Sequence, residues 1–268
     1  MNKVHGVVIS GPLLLCLAFL PGCGGQSPNA TSAAVAPSPP APSPSPTPSP
    51  TPANPNAKTI PDIQKLTGWE TCSSTCSNTA PAVFSMTQGI SSPSLSGSST
   101  RFQLLAGTQP FGGVLWFKFV GTENSATHFV YDLFFLVDNP GSAQALEFNV
   151  SQSAGGNRYS FSTQLDIAGQ NTWRVWDPVA NRWVASTVHS PKLEPNTWNH
   201  LIWEFERDSG GNVIFTAVTV NGTRGVVNLS MPHTADPTSG LDVAFQANAN
   251  LAATPYSVWL DKVNLTFW

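Results

Sequence analysis

From residue 58 onward the sequence predicts an all-β fold in which two antiparallel sheets pack face to face. Short segments alternate apolar and polar residues, and turn-forming Gly, Asn, Asp, Pro and Ser separate them. Signals for helices are nearly absent, and residues 59–66 could form one short helical turn. Many short strands with short connections favour a sandwich, with a closed barrel as the alternative. The predicted strands are 83–88, 100–106, 113–120, 128–138, 143–152, 157–167, 172–177, 182–188, 199–207, 212–221, 223–229, 241–249 and 256–267.

The alternation gives each long strand one apolar face and one polar face. Around Phe148, which would face the interior, Glu147 and Asn149 would face outward. The same pattern places three further amides on polar faces: Gln164, Gln246 and Asn248. These faces are rich in Glu, Gln, Asn and Ser, a composition that suits a ligand-binding sheet and also a plain solvated one.

Residues 1–22 are typical of a secretory signal peptide. Lys3 supplies the positive charge, and the apolar run after it is shorter than the ~20 residues that cross a bilayer. The segment Leu-Pro-Gly-Cys at 20–23 resembles the lipobox of bacterial lipoproteins, although Pro21 stands where a small residue is usual. The resemblance implies cleavage before Cys23 and lipidation of that cysteine, with an ordinary cleaved signal peptide as the alternative.

Residues 23–57 comprise the lipid-bearing cysteine and a proline-rich tether. Positions 24–57 contain no charged residue and eleven prolines. Such a segment has little to bury, so we expect it to be disordered and extended, at ~3.1 Å per residue in polyproline II form. Leader and tether together predict a protein that is lipid-anchored to the bacterial cell envelope, with residues 58–268 held outside the cytoplasm as one domain.

Charge and cysteine content narrow the partners. The chain has a formal net charge of −3 and no basic patch, which argues against a nucleic-acid partner. Cys72 and Cys76 lie close in sequence, and in an oxidising compartment we expect a disulfide between them rather than a metal site. No cofactor motif is recognisable. Calcium could bind loop Asp and Asn residues, for which the candidates are Asp138, Asn139, Asp177 and Asp236, although they form no recognisable cluster.

Three segments near the C-terminus resemble strands of the concanavalin A-like lectin/glucanase and laminin-G superfamily. Residues 198–205 read WNHLIWEF, 218–222 read VTVNG and 259–265 read WLDKVNL, in the order of that superfamily. The resemblance implies a two-sheet antiparallel jelly-roll sandwich with a curved sheet whose concave face often binds glycans. It does not imply an enzyme, because the superfamily contains lectins, hydrolases, lyases and adhesion modules.

Glu147 and Glu204 are the candidate catalytic carboxylates. Glycoside hydrolysis uses two carboxyl groups ~5–10 Å apart, and both residues lie on polar faces of long predicted strands. The glucanases of the superfamily carry three acidic residues along one strand, whereas Asn149 and Gln152 stand at the second and third positions here. Amides bind sugar hydroxyls but do not exchange protons near neutral pH. A polysaccharide lyase built on Tyr and His is a further alternative.

The sequence therefore favours a membrane-anchored, lectin-like module that binds a glycan or polysaccharide. The predicted ligand-binding residues are Glu147, Asn149, Gln164, Trp176, Gln246 and Asn248. The amides would hydrogen-bond sugar hydroxyls, and Trp176, which shares a strand face with Arg174, would stack on a sugar ring. A glycoside hydrolase or lyase is the second interpretation, and a structural envelope protein without a small-molecule site is the third.

Overall fold

The computed structural model describes residues 54–74 and 78–268. The signal peptide at 1–22, the lipidation site Cys23 and the tether up to residue 53 lie outside these ranges and remain predictions. Cys72 lies in the second strand, and its expected disulfide partner Cys76 also lies outside the described residues. Within the described residues, no helix is long and apolar enough to cross a bilayer.

The described residues form sixteen β-strands and two short 3-10 helices. In chain order the strands are β1 (Lys58–Ile60), β2 (Glu70–Ser73), β3 (Phe84–Ile90), β4 (Ser99–Leu104), β5 (Gly113–Gly121), β6 (His128–Val137), β7 (Ala143–Ala154), β8 (Asn157–Asp166), β9 (Thr172–Asp177), β10 (Arg182–His189), β11 (Thr197–Arg207), β12 (Val213–Val220), β13 (Thr223–Met231), β14 (Thr234–Ala235), β15 (Gly240–Ala249) and β16 (Tyr256–Phe267). The 3-10 helices span Ile63–Lys65 and Pro140–Ser142.

The strands build two antiparallel sheets. Sheet 1 has the order β13-β12-β11-β6-β16-β4-β3, with β1 beside β16, and sheet 2 has the order β10-β9-β8-β7-β15-β5-β2, with β14 beside β8. The chain crosses between the sheets several times, for example from β5 to β6 and back to β7. The predicted two-sheet jelly-roll sandwich is confirmed. The barrel alternative is wrong, because each sheet ends on two different strands and does not close on itself.

Aromatic side chains from the two sheets form the core of the sandwich. Phe148 of sheet 2 lies 5.2 Å from Phe135 of sheet 1, between ring centroids, and Trp173 meets Trp203 edge-on at 5.4 Å. All four are fully buried. Burying one such side chain contributes about 1.5–3 kcal/mol, and the paired rings add about 0.5–1.5 kcal/mol. Because side chains alternate along a strand, the inward position of Phe148 turns its neighbours on β7 to the outer face of sheet 2.

Sequence reasoning missed three strands, β1, β2 and β14, which have two to four residues each. Alternation over so few residues gives no recognisable period. These strands form where a longer neighbour pairs with them, since β1 pairs with β16 and β14 pairs with β8. The helical turn expected at 59–66 is shorter than predicted, because β1 takes its first residues and the 3-10 helix covers Ile63–Lys65.

Candidate functional site

A row of polar side chains crosses the outer face of sheet 2. In the strand register, Arg174 of β9 lies opposite Gln164 of β8, which lies opposite Glu147 of β7. Glu147 in turn lies opposite Gln246 of β15. We call these four residues the polar row. Next in line after Gln246 is Leu115 of β5, so the row ends on an apolar side chain.

Glu147 is the hub of the polar row. Its Oε1 accepts hydrogen bonds from Gln164 Nε2 at 3.2 Å, Gln246 Nε2 at 2.9 Å and Asn248 Nδ2 at 2.9 Å. Burial of the carboxyl raises its pKa from 4.5 to about 7, although the hydrogen bonds from Asn248, Gln164 and Asn149 act in the opposite direction. Glu147 therefore changes its charge close to neutral pH.

A charged pair fixes the orientation of the amide beside Glu147. The Arg174 guanidinium donates to the carboxylate of Asp166, which is almost fully buried. The other branch of Arg174 donates to Gln164 Oε1 at 3.5 Å. Because Oε1 of Gln164 faces a cation, its Nε2 faces Glu147 and donates there. The chain of contacts from Asp166 to Glu147 thus holds the floor of the site in one arrangement.

The neighbouring backbone holds Asn149 by a hydrogen bond and leaves room for Asn248 at a glycine. Asn149 Oδ1 accepts a hydrogen bond from the backbone N–H of Thr163 at 3.0 Å. Asn248 lies opposite Gly113 of β5, and a Cβ at Gly113 would stand 2.3 Å from Asn248 Oδ1. Glycine at position 113 therefore leaves the space in which Asn248 reaches Glu147.

The polar row forms the floor of a cavity of about 710 Å³. All six residues that the sequence singles out as ligand-binding line this cavity: Glu147, Asn149, Gln164, Trp176, Gln246 and Asn248. The volume lies within the range of roughly 300–1,000 Å³ that is usual for small-molecule sites. The structure therefore brings the predicted residues together, while their role in binding stays a prediction.

The β9–β10 hairpin forms one side of the cavity. Trp176 and Trp183 lie opposite each other on the two strands, with ring centroids 5.1 Å apart and planes at 61°. Both tryptophans are half-buried and line the cavity together with Asn181. Asp177 accepts hydrogen bonds from the backbone N–H groups of the turn that joins the two strands, so it stabilises the hairpin.

Sequence reasoning missed Phe111, which lines the cavity on its β5 side. Its side chain is 49% exposed and its φ is +59°, in the left-handed region. A left-handed conformation costs a residue with a Cβ about 1–2 kcal/mol. Backbone hydrogen bonds hold it there, since Phe111 N donates to Asn250 O at 3.3 Å and Phe111 O accepts from Ala80 N at 3.2 Å. A single phenylalanine in a loop carries no periodic signal that would reveal it.

The two candidate catalytic carboxylates, Glu147 and Glu204, do not lie on one sheet. Glu204 lies on β11 in sheet 1, whereas Glu147 lies on β7 in sheet 2, and both side chains point away from the core between the sheets. Glu204 binds Arg224 of sheet 1 at 2.7 Å and 2.9 Å. The alternation correctly placed Glu204 on a polar face, but that face belongs to the other side of the sandwich.

The candidate calcium ligands Asp138 and Asp236 make separate hydrogen bonds to distant strands. Asp138 Oδ1 accepts from the backbone N–H of Ser257 at 2.8 Å, and Asp236 Oδ2 accepts from Ser153 Oγ at 2.6 Å. Among residues 54–74 and 78–268, no group of three or more His, Cys, Asp or Glu could hold a metal ion.

The chain matches no protein-family model and no curated protein. Several solved structures are similar to this chain over most of their length. The cellulose induced protein Cip1 has 10% identity and a TM-score of 0.46, over 77% of this chain and 96% of that chain. The carbohydrate recognition domain of Emp47p has 10% identity and a TM-score of 0.45, over 78% and 94%. Lectin I from Ulex europaeus, solved with the methyl glycoside of α-L-fucose, has 11% identity and a TM-score of 0.46, over 79% and 97%.

These similarities do not establish a family, because the TM-scores lie below 0.5. The two-sheet antiparallel sandwich is shown by the strand order of this chain itself. At identities near one residue in ten, such similarity gives no information about a ligand. Any function proposed for the protein must therefore be inferred from the cavity of sheet 2.

Proposed function

We propose that this protein is a glycan-binding module anchored by lipid at the bacterial cell envelope. The observation that carries the proposal is the cavity on sheet 2, where an amide-rich floor meets two tryptophans. A sugar hydroxyl both donates and accepts hydrogen bonds, and a row of amides and one carboxyl offers both roles. An indole ring offers a flat apolar face to the C–H groups of a sugar.

The hydrogen bonds among the floor residues favour binding because they order the side chains in advance. Gln164, Gln246 and Asn248 all donate to Glu147, and Gln246 Nε2 also donates to Asn248 Oδ1 at 3.0 Å. Ordering a free side chain on binding costs about 0.5–1.5 kcal/mol for each long residue. Here that ordering is already present in the unbound protein.

The site supports hydrolysis less well than binding. Glu204 cannot act as the second catalytic carboxylate beside Glu147, because it lies on the other sheet. Asp166 also lines the cavity, but its carboxylate is nearly buried and bound to Arg174. We therefore expect the protein to bind a glycan without cleaving it.

Replacing Gln246 with alanine should weaken binding of a glycan by about tenfold or more, since a buried contact at the centre of a site is commonly worth over ~1 kcal/mol. The full chain is first screened on a glycan array, and titration calorimetry then measures the affinity for the best ligand. Gln103→Ala is the matched control, because Gln103 is a strand amide of sheet 1 with two side-chain hydrogen bonds.

Three outcomes would contradict the proposed function. The first is that no glycan on the array is bound. The second is that Gln246→Ala and Gln103→Ala have the same effect on affinity. The third is that incubation with the bound glycan releases reducing sugar, in which case the protein is a hydrolase.

Replacing Cys23 with alanine should move the protein from the membrane fraction to the soluble fraction of bacterial cells. The acyl chains on a lipidated cysteine contribute about 0.8 kcal/mol for each buried CH₂ group, and several chains make the attachment stable. Cell fractionation followed by immunoblotting measures the distribution. Cys16→Ala, a change within the leader, should leave the protein with the membranes. If Cys23→Ala also stays there, the anchor is not this cysteine.

A further inference from the structure

The cavity has two aromatic residues far apart, one on β9 and one in the loop before β5 of sheet 2. Trp176 is on β9, and Phe111 comes just before β5. Between β9 and β5 lie β8, β7 and β15, so the two residues are four strand spacings apart across the sheet, about 19 Å, with a further offset along the strands because Phe111 precedes β5. The polar row covers three of these spacings, from β9 to β15, and Leu115 of β5 follows it. A single sugar ring would contact one part of such a floor, whereas a chain of several rings would cover it.

Backbone hydrogen bonds around Phe111 hold its side chain at the cavity. The residue adopts a left-handed conformation that glycine would adopt without strain, and half of its side chain is exposed. Neighbouring backbone groups fix the loop: Gly113 N donates to Ala80 O at 3.1 Å, and Gly112 N donates to Gln109 O at 2.8 Å. Strained residues held in this way are concentrated at ligand-binding sites. An exposed aromatic ring on a rigid loop suits stacking against a sugar.

The charges that line the cavity select against anions. Glu147 and Asp166 contribute two carboxyl groups, and the one arginine among the lining residues, Arg174, already binds Asp166. Above pH 7, where Glu147 is ionised, its carboxylate would repel an acidic sugar placed over the polar row, and the low dielectric strengthens this repulsion. The hydroxyls of an uncharged sugar would meet the amides without this penalty.

We propose that the ligand is an uncharged, linear glycan that lies across the strands of sheet 2, with one ring stacked near Trp176 and another stacked on Phe111. The inference rests on the proposed function, because it names the class of glycan and the second platform for the same site. It makes Phe111 a residue that determines the length of chain the site recognises.

The test compares Phe111→Gly with Phe119→Gly. Both phenylalanines are about half exposed, and Phe119 belongs to β5 but is not among the residues that line the cavity. Calorimetry measures the affinity of the full chain for a length series of the best uncharged glycan. We expect Phe111→Gly to bind the longest member about tenfold more weakly and the shortest member as the wild type does. Phe119→Gly should bind the whole series as the wild type does.

A thermal unfolding curve excludes a trivial loss of structure. Because glycine accepts the left-handed conformation, Phe111→Gly should unfold within a few degrees of the wild type. An oxidised derivative of the same glycan, with carboxylates in place of primary hydroxyls, should bind at least about tenfold more weakly.

The outcomes separate this inference from the proposed function. Equal affinity of wild type and Phe111→Gly for the longest glycan would overturn the role of Phe111. Equal affinity for the oxidised and the uncharged glycan would overturn the selection by charge. In both cases glycan binding itself would stand. If neither kind of glycan bound, the proposed function and this inference would both fall.

Discussion

Replacing Glu147 with glutamine should remove a large part of the pH dependence of stability between pH 4.5 and pH 7. Burial raises the pKa of this carboxyl from 4.5 to about 7, so the folded state binds the proton more tightly than the unfolded state does. The stabilisation from this group is complete below pH 4.5 and is lost as the pH rises through 7. At 1.36 kcal/mol for each pKa unit, the loss is about 3 kcal/mol.

Glutamine at position 147 cannot ionise, so the variant should avoid that loss. Urea unfolding at a series of pH values measures the free energy of unfolding of both proteins. The advantage of Glu147→Gln over the wild type should grow by up to about 3 kcal/mol between pH 4.5 and pH 8. Burial also raises the pKa of Asp242, but that group is present in both proteins and does not affect the difference.

Glu204→Gln is the control for this experiment. Glu204 lies on sheet 1 with part of its side chain in solvent, bound to Arg224. Its replacement shows how much of any change comes from removing a partly exposed carboxylate rather than the buried one in the polar row. Parallel curves for wild type and Glu147→Gln would show that Glu147 is ionised in the folded protein without a penalty, which would contradict the buried hub described above.

Replacing Asp261 with alanine should destabilise the protein by about 3–5 kcal/mol, as removal of a buried, hydrogen-bonded charge commonly does. Asp261 is fully buried in β16. Its Oδ2 accepts from Ser94 Oγ and Leu95 N, both at 2.6 Å, and its Oδ1 accepts from Ser96 Oγ at 2.6 Å. Gln64 donates to the same carboxylate at 3.4 Å. The variant would leave these donors without their acceptor.

The wild-type protein should also lose this contribution in acid. Burial acts to raise the pKa of Asp261, but the hydrogen bonds from Ser94 and Ser96 outweigh it, so the pKa lies below the ordinary 3.8. The stabilisation is present above pH 3.8 and is lost as the pH falls through the lowered value. Asp261→Ala should lack this acid-dependent loss.

Denaturant unfolding at pH 7 measures the effect, with Asp208→Ala as the control. The Asp208 carboxylate accepts hydrogen bonds from Asn212 within a surface turn, so its removal should have a much smaller effect. If the two variants lost similar stability, Asp261 would not be the residue that holds the 94–96 segment to the last strand.

The sequence was sufficient to predict the long strands and the face of the sheet on which the site residues lie. The strands around Phe148 and Trp203 are long, so their two-residue alternation is easy to recognise. It also placed Glu147, Gln164 and Gln246 on polar faces, which is where they lie. Local alternation depends on each strand alone, and a single sequence contains that information.

The assembly of the site could not be predicted in the same way. Gln246 meets Glu147 across 99 positions of sequence, because β15 inserts between β5 and β7. Alternation gives the face of a strand but not its sheet, so it could not show that Glu204 and Glu147 lie on different sheets. The charged partner of the row, Asp166, belongs to the end of a strand whose neighbour is fixed by the sheet order.

The most direct test of a glycan site on sheet 2 is a crystal structure of the protein with the best ligand from the array. We predict a saccharide across the polar row, hydrogen-bonded to Gln164, Gln246 or Asn248 and in contact with Trp176. A saccharide bound elsewhere would contradict it. The clearest such place is the smaller cavity of about 390 Å³ at the other end of the sandwich, which Tyr159 and Arg207 line.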